Sequence, residues 1–180
     1  MPESPRPELL ITRRLPDAVV DAARAFADVT ERPGEAPLTT AEAQAALHAY
    51  DVIVPTLGDA FRAEALEGGP FRCRGLANFG VGYNHIDAAA AARAGLVVTN
   101  TPGAVTDATA DIALTLMLMC CRRAGEGERL VRAGSWTGWQ PTQMLGLHMT
   151  GKTVGIVGMG RIGKAIAARA HHGFGMEVVF

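Results

Sequence analysis

The chain has 180 residues, with 17 basic and 18 acidic side chains and a formal net charge of −1. That balance gives no electrostatic footing for nucleic acid or an anionic membrane surface. With 48% hydrophobic residues a sizeable core is possible, and the length suits one full domain or parts of two.

The opening MPESPRPELL has no basic n-region and no long apolar h-region, so no secretory signal is expected. The longest apolar run, 112–121, is far short of a membrane span. Cys73, Cys120 and Cys121 give neither a disulfide framework nor C-x-x-C spacing, so no metal site is expected. Free thiols of this kind place the protein in a reducing compartment, the cytoplasm being the simplest.

In chain order, residues 1–8 are Pro-rich and expected to fray. Leu9 to Thr12 reads as a buried strand. Pro16 and Asp17 open a helix to about Phe26. Val29-Thr30 is a weak second strand, and Pro33, Gly34 and Pro37 mark loop. Thr39 or Thr40 can cap a helix over 41–48, with Glu42 in its first turn. A third strand at 51–55 runs into the loop 56–59. A short helix is expected over 61–66, and a fourth strand at 76–79 ends in Gly80-Val81-Gly82. An alanine-rich helix over 86–94 is stopped by Gly95, and a fifth strand at 96–100 ends at Thr101-Pro102-Gly103.

Strands thus alternate with helices at short intervals, which argues for parallel βαβ units in a doubly wound α/β sheet of flavodoxin-like size. In such sheets the site lies on loops at the carboxyl ends of the strands. Here those loops are 56–59, 80–84 and 101–103.

Thr106 or Asp107 is expected to cap a helix over 108–123. Its stretch 112–120 is apolar nearly all round, which predicts burial on most faces and an interdomain position. Residues 126–132 are amphipathic, and 134–146 form a polar loop carrying Trp136 and Trp139.

The sharpest motif follows. Val154, Ile156 and Val157 have strand character. Gly158-Met159-Gly160-Arg161-Ile162-Gly163 spells G-x-G-x-x-G, and strong helix formers come next. At a strand-to-helix turn this is the dinucleotide fingerprint. Gly158 makes the tight turn, Gly160 lets the backbone approach a pyrophosphate, and Gly163 lets the helix pack on the strand. The helix N-terminus supplies free N–H groups and positive potential to the phosphates.

Taken together, the segments Asn78 to Asp87, Val98 to Pro102, Thr106 to Asp111 and Gly134-Ser135-Trp136, followed by the Gly-rich loop, resemble the D-2-hydroxyacid dehydrogenases. Within that family the glyoxylate/hydroxypyruvate reductases are the most similar subgroup. The resemblance implies a flavodoxin-like substrate domain at 1–104, an interdomain helix and connecting loop at 105–150, and the first part of a Rossmann NAD(P)-binding domain at 151–180. It implies NAD or NADP as cofactor, with no preference assigned, and a small 2-oxo or 2-hydroxy acid as substrate. A homodimer of the full-length parent is implied as well.

Carried over by position, the Val81 and Gly82 amides would hold the substrate carboxylate, and Leu57 would line the pocket. Thr109 would face the cofactor. Gly158, Gly160 and Gly163 would shape the phosphate loop, and Arg161 and Ile162 would give backbone N–H groups to the pyrophosphate. The family's catalytic Arg, Glu and His match no position here and would lie beyond Phe180. The expectation is therefore the N-terminal portion of a NAD(P)-dependent oxidoreductase, inactive by itself. The alternative is a catalytically silent fragment that pairs with a full-length subunit. His85 reads as a turn or surface residue rather than a base, His171-His172 as a helix-end pair, and Cys120-Cys121 as core packing.

Overall fold

The computed structural model describes residues 5–180; the fraying expected at the amino terminus falls, for residues 1–4, outside them. The chain divides into two compact units, one ending at Pro102 and the other running from Gly103 to Phe180.

The first unit is a five-stranded sheet. Its strands are β1 (Glu8–Ile11), β2 (Asp28–Glu31), β3 (Val52–Val54), β4 (Gly75–Ala77) and β5 (Val97–Thr99). They lie in the order β2-β1-β3-β4-β5, and every pairing is parallel. This is the flavodoxin-like order. Parallel neighbours need crossovers, and three helices serve: α1 (Asp17–Arg24), α2 (Thr40–Ala49) and α3 (Ala88–Arg93). Alternate strand residues divide between two cores. Leu10, Ile53 and Leu76 join Leu47 and Phe61 on one face, while Leu9 and Ile11 join Leu15 and Val20 on the other.

Local chemistry sets the helix starts. At α2 the Thr39 hydroxyl accepts from the Glu42 N–H and the Glu42 carboxylate accepts from the Thr39 N–H, a reciprocal capping box. The Glu42 carboxyl is held below its ordinary range chiefly by that Thr39 N–H. At α3 the Asp87 carboxylate accepts from the Ala90 N–H at 2.8 Å.

Two expected helices are shorter than the sequence implies. Only Ala63–Leu66 forms a 3₁₀ turn, and Phe61 instead makes a parallel bridge with Ile86. Both residues are buried. Drawing Ile86 into that bridge delays α3 to Ala88 and carries His85 inward with it. His85 lies in a turn, as one of the two expected alternatives had it, but is buried, 8% exposed, rather than at the surface.

One buried carboxylate ties the carboxyl ends of β1 and β3 together. Asp59 is fully buried and accepts from the Thr12 hydroxyl at 2.6 Å, the Thr56 N–H at 2.8 Å and the Leu38 N–H at 2.8 Å. Arg13 approaches the same carboxylate at 3.9 Å and donates to the Leu57 carbonyl at 2.8 Å.

The second unit holds α4 (Thr106–Cys121), α5 (Ala124–Arg132), β6 (Thr153–Gly155), α6 (Arg161–Phe174) and β7 (Glu177–Val179). β6 and β7 pair in parallel across α6, a βαβ unit. The strand before the Gly-rich turn thus ends at Gly155, with the Ile156 N–H continuing the ladder to the Val179 carbonyl.

Leu114 of α4 packs with Ala170 of α6, Met149 and Met176. Arg169 on α6 donates to Asp107 at 2.9 Å and to Asp111 at 2.7 Å, and these two bonds raise its pKa.

Three expectations for α4 are corrected here. Neither Thr106 nor Asp107 caps it: Val105 holds the cap position without a side-chain bond, the Thr106 N–H turns back to Gly103, and Asp107 faces Arg169. The helix is not buried on most faces; Ala110 and Leu114 are buried, while Ile112 is 60% and Leu116 55% exposed. Its apolar circumference exceeds the one flank that α6 covers. For the same reason Cys120 is exposed rather than packed in a core. Among the described residues no helix is long and apolar enough to cross a membrane.

Asp59→Ala strands buried donors on three segments and is expected to cost about 3 kcal/mol, read as a lower urea midpoint for the β1 and β3 amide signals. Burial also pushes the His85 imidazole below its ordinary value, partly offset by Asp59. As pH falls below about 6.5 the unfolded chain takes up this proton before the folded one, so the His85 contribution present at neutral pH is lost through the lowered folded value. Unfolding midpoints followed from pH 7 to 5 are expected to decline less steeply in His85→Gln than in the wild type.

Candidate functional site

Each unit presents backbone N–H groups on a loop at the carboxyl end of a strand. In the first unit these loops follow β3, β4 and β5. The Phe79 N–H donates to the Pro55 carbonyl at 2.9 Å and the Thr101 N–H to the Gly80 carbonyl at 3.0 Å, so the three loops are joined edge to edge.

Val81 and Gly82 lie on the middle loop, half-buried and exposed respectively. Among the described residues neither N–H has a protein acceptor. Leu57 lies on the preceding loop, 61% exposed, with its carbonyl held by Arg13. The structure thus brings Leu57, Val81 and Gly82 onto neighbouring loops of one sheet. Such successive free N–H groups make a concavity suited to an anion.

The sequence reading assigned no role to several residues that build this rim. Asn78, 2% exposed, donates from Nδ2 to the Gly80 and Gly82 carbonyls, each at 3.0 Å. Asn100 donates to the Val81 carbonyl at 2.8 Å. Thr12, Arg13 and Asp59 support the Leu57 loop. An asparagine ending a strand just before G-x-G was the one available signal, because a short amide side chain readily bonds nearby turn carbonyls.

In the second unit the Gly-rich turn joins β6 to α6. Gly158 has φ +98°, the left-handed region that favours glycine. A Cβ on Gly163 would fall against the Gly158 carbonyl oxygen, closer than real Cβ atoms approach. The turn therefore folds directly onto the first turn of α6. A Cβ on Gly160 would meet nothing within 4 Å. Gly160 is also the N-cap, with no side-chain cap bond, and α6 has no acidic residue in its first turn. The opening amides, including those of Arg161 and Ile162, are left for an external acceptor. Open space at Gly160 and uncapped amides at one helix end are the arrangement a pyrophosphate fits.

Thr109 is exposed in the first turn of α4, its N–H bonded to the Val105 carbonyl. His171 and His172 stand in the last turn of α6 with ring centroids 4.9 Å apart, and His171 Nδ1 lies 3.0 Å from the Met176 carbonyl oxygen.

Residues 114–180 match the family model of the D-isomer specific 2-hydroxyacid dehydrogenase NAD binding domain. The glyoxylate reductase of Thermococcus kodakarensis is 39% identical over 179 residues, 97% of this chain and 53% of the relative. A solved structure from Polaromonas sp. JS6 66, assigned to D-isomer specific 2-hydroxyacid dehydrogenases, superposes with TM-score 0.86 at 40% identity, covering 97% of this chain and 54% of that one. Over nearly its whole length the chain is thus similar to members of the D-isomer specific 2-hydroxyacid dehydrogenase family. The NADPH-dependent glyoxylate/hydroxypyruvate reductase of Sinorhizobium meliloti, solved in complex with NADP and malonate, is similar too, with TM-score 0.78 at 30% identity, covering 97% of this chain and 53% of that one. The chain spans about half the length of the curated relatives it matches.

The two glycines separate space from packing. Gly160→Val is expected to leave α6 and its melting unchanged while weakening NADH binding at least about tenfold, because the side chain occupies the approach to the amides. Gly163→Ala is expected to lower stability and NADH affinity together. Nucleotide fluorescence titration beside thermal unfolding separates the two outcomes.

Proposed function

We propose that these 180 residues carry the substrate-carboxylate loop and the dinucleotide-phosphate loop of a NAD(P)-dependent oxidoreductase. That enzyme interconverts 2-oxo acids and D-2-hydroxy acids, in the manner of a glyoxylate/hydroxypyruvate reductase. The observation that carries the reading is the uncapped N-terminus of α6 behind Gly158-Met159-Gly160. The family match of residues 114–180 and the glyoxylate reductase relatives support it.

Each residue has a physical task in this reading. The Val81 and Gly82 N–H groups receive the two oxygens of the substrate carboxylate, and Leu57 supplies an apolar wall that favours a small acid. Charge-assisted bonds from fixed amides orient the acid. Arg161 and Ile162 offer N–H groups to the pyrophosphate, Gly160 leaves room for it, and Gly158 and Gly163 hold the turn against the helix. Thr109 faces the cofactor from the first turn of α4. The bound nicotinamide, NAD or NADP, supplies or accepts the hydride.

Moving the proton on the substrate oxygen requires an acid/base and a positive partner beside it. The family's Arg, Glu and His for that task match no motif within these residues. The reading carries a homodimer of the whole enzyme as well, supported by the exposed apolar residues Ile112, Leu116 and Met119, which favour association.

Joining residues 1–180 in frame to the remaining half of the Thermococcus kodakarensis relative tests this. The chimera is expected to oxidise NADH or NADPH when given glyoxylate or hydroxypyruvate. The 180 residues alone are expected to leave both acids unreduced. Reduction by the 180-residue chain would mean that the proton-moving groups lie within it, and a folded but inert chimera would refute the assignment.

A further inference from the structure

Three consecutive carbonyls on the loop after β4 point to fixed donors. Gly80 O accepts from Asn78 Nδ2 at 3.0 Å and from the Thr101 N–H at 3.0 Å. Val81 O accepts from Asn100 Nδ2 at 2.8 Å. Gly82 O accepts from Asn78 Nδ2 at 3.0 Å. A peptide plane that commits its C=O to one side turns its N–H to the other. With the carbonyls of Gly80 and Val81 anchored, the N–H groups of Val81 and Gly82 are fixed away from those donors, and neither has a protein acceptor among the described residues.

Glycines alone would leave this loop free to rotate. Gly82 has no atom within 4 Å of the place a Cβ would take, so packing does not hold it. The orientation comes instead from the two amide side chains. Asn78 is the more committed, because both of its donor protons are spent on carbonyls and its Oδ1 is buried without a partner. A buried acceptor left unpaired opposes folding. Stability alone gives no reason to keep it, whereas orienting a binding loop does.

We propose that Asn78 and Asn100 are positioning residues for the anion loop: together they clamp the Gly80, Val81 and Gly82 carbonyls so that the Val81 and Gly82 amides present a preformed pair of donors to a 2-oxo acid carboxylate. This rests on the substrate-loop reading above. Neither asparagine touches the acid. Each acts through the peptide planes it holds.

The test uses the 180-residue chain and oxamate, an unreactive analogue of a 2-oxo acid, followed by amide NMR. Wild type is expected to show saturating shifts centred on Val81 and Gly82. Asn78→Leu removes both donors at constant side-chain size and adds no charge. Asn100→Ala removes only the half-buried donor and keeps the proposal testable if the first variant folds poorly. Each folded variant, judged by unchanged β1 and β3 amide signals, is expected to bind oxamate at least about tenfold more weakly, as expected for misaligned charge-assisted bonds. Its Val81 and Gly82 signals should broaden or move before any oxamate is added. Folded variants that bind as wild type overturn the clamp and leave the substrate-loop reading standing. Wild-type shifts that avoid Val81 and Gly82 overturn the substrate-loop reading and the clamp with it.

Discussion

The first unit depends on where one buried negative charge is placed. Asp59 follows a short loop after β3, yet its carboxylate reaches the Thr12 hydroxyl just past β1 and the Leu38 N–H before α2. Three segments distant in sequence are thereby fixed at one end of the sheet. A buried carboxylate is costly unless every oxygen is bonded. Here the Thr12 and Thr56 donors serve Oδ2, the Leu38 N–H serves Oδ1, and Arg13 stands beside it. Hydrophobic packing holds the sheet together, but it is non-directional and cannot set loop geometry. The polar cluster does, and it does so at the strand ends where a doubly wound sheet binds ligands.

The second unit reaches a similar end by different means. No side chain caps α6, and no carboxylate organises its approach. The turn is shaped by backbone space: the positive φ at Gly158 and the close stacking of Gly163 against the Gly158 carbonyl. The first unit holds its loops with side-chain hydrogen bonds, whereas the second holds its loop by removing side chains. Both solutions leave peptide N–H groups unpaired at the surface, and both suit an anion of small or extended shape.

Much of this was legible in the sequence, and the reasons differ by element. Parallel order followed from βα rhythm, since short strands alternating with helices have few other solutions. The G-x-G-x-x-G turn was legible because each glycine answers a separate backbone demand. The limits of the reading are equally physical. α4 was expected to be buried because Ile112 to Cys120 is apolar. Composition records what a helix could bury and not what covers it, and in the structure Ile112 and Leu116 stand exposed. His85 was legible as a turn residue beside Asn84, but its burial was not, because the Phe61–Ile86 bridge that draws it inside is a contact between distant segments. Asn100 was visible as a strand end and Asn78 as a residue near the end of a strand. Their role depends on where three carbonyls point, which no local pattern encodes.

The recurrence of backbone donors has a consequence for what such a scaffold can discriminate. A lysine or arginine attracts any anion within reach, whereas two oriented N–H groups reward a planar pair of oxygens at one position and angle. Leu57, proposed above as the apolar wall of that site, would add a size limit and ask nothing of the anion's charge. In the proposed reading affinity comes from the orientation of peptide planes, and the residues that set orientation, Asn78, Asn100, Asp59 and the loop glycines, stand behind the binding surface rather than on it.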